Sequence, residues 1–153
     1  MINGFRSKDI IIIEDRCKAA CTNLYTMTDD GSNGSRGFVT AKLEELIEAG
    51  NKYDVVIAIG PLVMMKAVSE LTKKYGIKTI VSMNSIMIDG TGMCGGCRIT
   101  VGGETKFACV DGPDFDGHLV DFDQAILRSK MFKDPERKSF ESHHCRLEGM
   151  QDA

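Results

Sequence analysis

No stretch of this sequence approaches the roughly 18–20 consecutive apolar residues that a membrane-spanning helix needs. The early apolar run, residues 10–13, is also shorter than the 7 or so residues of a secretory signal core, and no small-residue cleavage site follows it. The chain therefore reads as cytoplasmic. Basic excess is missing too. Nineteen Lys and Arg stand against 22 Asp and Glu, for a net charge of −3, which leaves no electrostatic footprint for nucleic acid. There is no internal repeat, no low-complexity tract, and no G-x-G-x-x-G dinucleotide fingerprint. What remains, at 153 residues with 42% hydrophobic and 27% charged side chains, is the size and composition of one ordinary folded domain.

Against these absences stand six cysteines. A disulfide framework needs an oxidising compartment, for which nothing speaks, so metal or redox chemistry is the better explanation of clustered thiols. Three of the six, Cys94, Cys97 and Cys109, fall close together. Cys17 and Cys21, four apart on an expected short helix, are read as half-buried thiols rather than ligands. His143-His144-Cys145 lies in a polar, aperiodic end, and His118 has no nucleophile or base placed with it.

The first half of the chain alternates short apolar runs with helix-period segments. Residues 9–14 (DIIIIE) read as a strand buried on both faces, and 24–28, 54–59 and 77–82 as three further strands. Val39, Leu43, Leu46 and Ile47 share one helical face over residues 37–49. Met64, Met65, Val68, Leu71 and Tyr75 share another, on a helix opened by Pro61. Gly50 and Gly76 are placed to end these helices in the left-handed conformation. Strands separated by helices of this length imply right-handed crossovers and a mostly parallel sheet. From about residue 84 glycine becomes dense and helical periodicity stops. There, residues 98–101 and 105–109 flank Gly102-Gly103, a two-residue hairpin turn. A short helix is expected over 122–131, and beyond 133 a polar, frayed tail. The expected class is α/β: a partial, doubly wound parallel sheet followed by a small irregular module with a β-hairpin. The sequence starts almost directly on an expected buried strand, without an opening βα unit, as a fragment would.

Cys94-Gly-Gly-Cys97 alone fits half a zinc site, a dithiol redox pair or part of an iron–sulfur site. Its context is D-x4-C-x2-C-x11-C, running from Asp89 to Cys109. That is the plant-type ferredoxin spacing with aspartate in the first position. Gly90, Gly92, Gly95 and Gly96 let the backbone wrap closely and turn its amides inward. Asp89 can supply an anionic oxygen where a thiolate is usual, with water or a partner's residue the alternative fourth ligand, and Cys94, Cys97 and Cys109 supply the sulfurs of a 2Fe–2S cluster. A zinc site of three sulfurs and one oxygen stays open, although zinc usually pairs two short knuckles and the second is missing here. In that rival reading the chain is a zinc-stabilised interaction module without redox activity. Two polar, glycine-bearing turns follow strands. One comprises Thr28, Asp29, Asp30, Gly31 and Ser32, the other Gly60, Pro61 and Met64. Carboxyl ends of parallel strands are where α/β sheets bind ligands, so both are candidate nucleotide contacts; ordinary βα turns are the alternative.

The sequence resembles the NAD(P)-binding and iron–sulfur end of dihydroorotate dehydrogenase electron-transfer subunits and related ferredoxin–NADP reductase-like proteins, over about residues 4–131. The resemblance rests on Arg6-Ser-Lys-Asp9, Thr28-Asp-Asp-Gly-Ser32, Gly60-Pro-Leu-Val-Met-Met65, Asp89-Gly-Thr-Gly-Met-Cys-Gly-Gly-Cys97 and Phe107-Ala-Cys-Val-Asp-Gly-Pro113. Aspartate at position 89 looks most like the sulfide dehydrogenase or NADH-dependent ferredoxin–NADP oxidoreductase small-subunit branch. The resemblance implies hydride passing from NAD(P)H to FAD and single electrons leaving through the cluster to a partner flavoprotein subunit. It divides the chain into a partial NAD(P)-binding domain (1–83, its second half), a cluster-binding module (84–132) and a tail (133–153). The flavin-binding barrel has no counterpart in this sequence, so FAD is not expected to bind it and the NAD(P) site is incomplete. By the same resemblance Thr28–Ser32 and Gly60–Met65 touch the dinucleotide. Arg6 either pairs with an adenosine phosphate or is a surface arginine.

Overall fold

The computed structural model describes residues 1–142. Among the described residues, seven strands form three hydrogen-bonded sheets of order β1-β2, β3-β4-β7 and β5-β6, and the strand ladders are both parallel and antiparallel, so the chain is a mixed α/β protein. The residues group into two compact units. The first holds 1–58 and 67–79; the second holds 59–66 and the described residues from Ile80 onward. No helix among the described residues is long and apolar enough to cross a membrane.

In the first unit, β1 (Ile2–Phe5) pairs in parallel with β2 (Tyr25–Thr28), in register from Ile2↔Tyr25 to Phe5↔Thr28. The crossover between them carries a 3₁₀ turn at Lys8–Ile10 and helix α1 (Glu14–Ala20). This corrects the expected strand at residues 9–14. The isoleucine run is not buried on two faces: Ile10, Ile12 and Ile13 are 50%, 64% and 56% exposed. The edge of β2 is already taken by β1. Glu14 and Asp15 sit in the first turn of α1, where carboxylates favour the positive end of a helix dipole. Cys17 lies on α1 and Cys21 caps its end; both are half-buried and free.

Helix α2 (Val39–Glu48) packs on β1. Gly4 permits the approach, since a Cβ there would stand 2.8 Å from Val39 Cγ1. Strand β3 (Val55–Ile59), helix α3 (Leu62–Lys74) and strand β4 (Lys78–Ser82) then follow within a residue or two of the pattern read from sequence. Gly50 and Gly76 take φ +91° and +66° just past α2 and α3, as left-handed caps. Thr72 and Thr79, both fully buried, satisfy each other. Thr79 Oγ1 donates to Thr72 Oγ1 at 2.6 Å, and Thr72 Oγ1 donates to Val68 O at 2.9 Å.

The second unit contains the hairpin β5 (Arg98–Val101) and β6 (Glu104–Phe107), paired from Arg98↔Phe107 to Val101↔Glu104. β7 (Asp114–Asp116) runs antiparallel to β4, with Val81 opposite Phe115. Helix α4 (Phe122–Arg128) packs on β5. Its start is fixed by Asp121, whose carboxylate accepts the Gln124 N–H at 2.9 Å. Met65, Val81, Met83, Cys97, Ile99, Ala108, Val120, Phe122 and Ala125 are the buried apolar residues of this unit. Beyond α4, where polarity predicts a frayed tail, α5 (Lys133–Glu141) is a wholly exposed helix with Arg137 paired to Asp134 and Glu141. Helical i,i+3 and i,i+4 pairs support it without an apolar face. His143-His144-Cys145 lies outside the described residues.

Candidate metal centre

The loop from Asp89 to Cys97 enters the β5-β6 hairpin, and Cys109 lies two residues past its end. Asp89 organises the start of this loop. Its Oδ1 accepts the Thr91 N–H at 2.9 Å and its Oδ2 accepts the Cys94 N–H at 3.1 Å. The Thr91 amide, ahead of the contributions from Cys94, holds the Asp89 carboxyl below the ordinary carboxylate range. Asp89 is therefore anionic near neutral pH, although both of its oxygens already serve the backbone. A carboxylate has about four lone-pair sites, so these two bonds leave acceptor capacity for a metal.

The sulfurs receive backbone amides. Gly96 N–H donates to Cys94 Sγ and Cys109 N–H to Cys97 Sγ, each at 3.4 Å. Ala108 N–H donates to Cys97 O at 3.2 Å, which ties the strand end after the hairpin to the CxxC turn before it. Cys97 is 1% exposed, Cys109 half-buried and Cys94 exposed. The neighbouring Cys97 thiol, and then burial, push the Cys109 thiol up. The loop is wrapped tightly. Gly92 takes φ +80° and a Cβ on it would lie 3.0 Å from Val110, while a Cβ on Gly96 would lie 3.2 Å from Ile88 and 3.5 Å from Cys94 Sγ. Among the described residues, no three His, Cys, Asp or Glu side chains already stand together as a metal-holding group. The four candidates come instead as two hydrogen-bonded pairs, Asp89 with the Cys94 amide and Cys97 with Cys109.

The candidate nucleotide turns fall in different units. In the first unit, Thr28 is fully buried and its Oγ1 donates to Asn33 Oδ1 at 2.8 Å. Asp30 Oδ1 accepts the Ser32 N–H at 3.0 Å and hydroxyl at 2.7 Å, and these bonds, the amide first, lower its pKa. Ser32 Oγ in turn accepts the Lys8 N–H at 2.7 Å. The amides of Asp29 and Asp30 donate to Phe5 and Arg6 carbonyls, and Gly31 takes φ +78° to close the turn. This polar loop is thus held by its own side chains, with Asp29 and Asp30 exposed. In the second unit, Pro61 O accepts the amides of Met64 and Met65 as the first turn of α3. Met64 is half-buried and its Cε fills the space beside Gly60, where a Cβ would meet it at 2.5 Å. Met65 is fully buried, as core filling requires.

Sequence reasoning assigned no role to three residues that shape the cysteine loop. Ile88 and Val110 press on Gly96 and Gly92, and Asp111 Oδ2 accepts the Phe107 N–H at 2.7 Å. The one available signal was Asp111 itself, a turn-forming residue directly before Gly112-Pro113.

Residues 84–121 match the iron–sulfur cluster binding domain of dihydroorotate dehydrogenase B. The chain is 55% identical, over 91% of its length and 47% of the relative's, to a Clostridium beijerinckii protein described as an uncharacterized protein in the adh 3' region. It is 44% identical, over 90% of its length and 48% of the relative's, to a Thermotoga maritima protein named as a homolog of the electron transfer subunit of dihydroorotate dehydrogenase B (NAD(+)). The chain is thus similar to dihydroorotate dehydrogenase B electron-transfer-subunit-like proteins over most of its length. A chain from the structure of an NADH-dependent reduced ferredoxin-NADP oxidoreductase, solved for insights into flavin-based electron bifurcation, superimposes with a TM-score of 0.81 at 42% identity. That match covers 92% of this chain and 50% of the other. The chain spans about half the length of the relatives it matches.

The matched iron–sulfur cluster binding domain spans Asp89, Cys94, Cys97 and Cys109. The donor set fits an iron–sulfur cluster on chemical grounds: three thiols and an anionic carboxylate on one loop and hairpin, with two backbone amides already directed at sulfur. Such amides are among the protein's means of tuning a cluster's potential.

Proposed function

We propose that this chain is the cluster-bearing part of an electron-transfer subunit, with a 2Fe–2S cluster held by Cys94, Cys97, Cys109 and Asp89. The observation that carries this reading is the pair of amide-to-sulfur bonds on Cys94 and Cys97, within the residues that match the iron–sulfur family. When bound, the cluster supplies a one-electron carrier between an NAD(P)H-reduced flavin and a partner redox subunit. The chain's own residues do the rest. Glycines at 90, 92, 95 and 96 bring the backbone close, Cys97 anchors the buried side of the site, and Cys94 faces the exposed side.

In this reading residues 1–83 are the second half of a ferredoxin reductase-like, doubly wound NAD(P)-binding domain. In the first unit Thr28, Asp29, Asp30, Gly31 and Ser32 are its proposed dinucleotide contacts, and in the second unit Gly60, Pro61 and Met64 are. The relative named for NAD(+) and the structure named for NADH support a nicotinamide donor. The partner in this reading is a flavoprotein subunit of the complete enzyme.

The fourth ligand is tested by Asp89→Cys. A soft thiolate in place of a hard oxygen changes the potential of a cluster, as the opposite exchange does when histidine replaces cysteine. The variant is expected to keep iron and sulfide at the wild-type ratio and to show a shifted midpoint potential and visible spectrum. An unchanged potential and spectrum would mean that Asp89 only holds the loop.

A further inference from the structure

We infer that Asp111 is a positioning residue for Cys109, clamping the turn that carries this thiol; the inference rests on the cluster assignment above. The turn starts at Phe107, the last residue of β6, and two reciprocal bonds close it. Asp111 N–H donates to Phe107 O at 2.7 Å, and Phe107 N–H donates to Asp111 Oδ2 at 2.7 Å. The first bond is available to any residue with an amide. The second needs a short side-chain acceptor at this position, and its carboxylate makes it charge-assisted.

Everything inside the clamp points at the site. Ala108 N–H bonds Cys97 O at 3.2 Å and Cys109 N–H bonds Cys97 Sγ at 3.4 Å. Val110 N–H returns to Phe107 O at 3.0 Å, and the Val110 side chain lies where a Cβ on Gly92 would meet it at 3.0 Å. At the far end Gly112 is enclosed by the Phe115 ring and Ala108 O, so the turn is fixed on both sides of Cys109. Removing the carboxylate frees the Phe107 amide and loosens the span that sets the distance between the Cys109 and Cys97 sulfurs. Asp111 is exposed and touches no ligand atom, so it acts through the turn alone.

The test uses the full chain purified without oxygen, as wild type, Asp111→Ala and Asp111→Asn. Iron and sulfide content, midpoint potential and the rate at which an iron chelator bleaches the visible band are measured for each. Asp111→Ala is expected to bleach about five- to tenfold faster and to shift the potential, a size set by losing one exposed, charge-assisted bond to a residue supporting a ligand. Asp111→Asn keeps an acceptor oxygen and is expected to stay within about twofold of wild type. Wild-type bleaching and potential in Asp111→Ala would overturn the inference. So would an Asp111→Asn variant as labile as Asp111→Ala, because the charge and not the bond would then be acting. A wild-type chain without iron and sulfide would refute the cluster assignment. Amide exchange at residues 107–110 would then decide on the clamp, accelerated in Asp111→Ala alone if it exists and equal in all three if it does not.

Discussion

Cys97→Ser is expected to yield a folded, colourless chain that retains little iron or sulfide. Cys97 is the most buried of the described cysteines, at 1% exposure, and its carbonyl and sulfur both take amides from the segment carrying Cys109. The ligand form of cysteine is the thiolate, whereas a serine hydroxyl does not ionise near neutral pH and binds as a harder donor. A hydroxyl at this position therefore removes the central thiolate of the array while leaving the Ala108 N–H to Cys97 O bond in place. Far-UV circular dichroism should match wild type, while the visible absorption disappears. Cys17→Ser and Cys21→Ser, on and just past α1, serve as controls and should leave the colour unchanged. A Cys97→Ser protein with full iron and an unaltered spectrum would exclude Cys97 as a ligand.

Met65→Ala is expected to produce the largest loss of stability among single apolar substitutions, about 2–5 kcal/mol, as for other fully buried long side chains cut back to alanine. Met65 is completely buried in the first turns of α3, and Pro61 O accepts its amide. A loss of that size is a large fraction of the roughly 5–15 kcal/mol that holds a typical domain together. For a chain of this length it lowers the melting temperature by about 5–15 °C. Met64→Ala should cost less, because Met64 is half-buried. The pair also separates packing from ligand contact. Met65→Ala should change melting without changing NAD(P) affinity, and Met64→Ala should weaken NAD(P) binding if the Gly60–Met64 turn touches the dinucleotide. Equal melting of Met65→Ala and wild type would show that the core does not depend on this side chain.

Elements whose cause is local were readable in the sequence. Gly102-Gly103 demanded left-handed backbone and produced the hairpin, at φ +60° and +83°. Pro61 and Gly76 bracketed α3, and a compact β-branched run marked β3. The isoleucine run at 10–13 misled because β propensity alone does not decide a strand. A pairing edge does, and the less apolar Ile2–Phe5 took the edge of β2 instead. α5 was missed for the opposite reason: its ion pairs and exposed face carry no apolar period to detect. At the site, the spacing of Asp89, Cys94, Cys97 and Cys109 was visible from the residues alone. The amides that reach the sulfurs, the two bonds of Asp89 and the clamp at Asp111 depend on how the loop folds back against residues 107–111, and no spacing encodes that.

The most direct test of the central claim is iron, acid-labile sulfide and visible-absorption analysis of the chain purified without oxygen. The cluster assignment predicts two irons and two sulfides per chain, with a red-brown charge-transfer band that bleaches on reduction. One zinc per chain, no sulfide and no colour would contradict it.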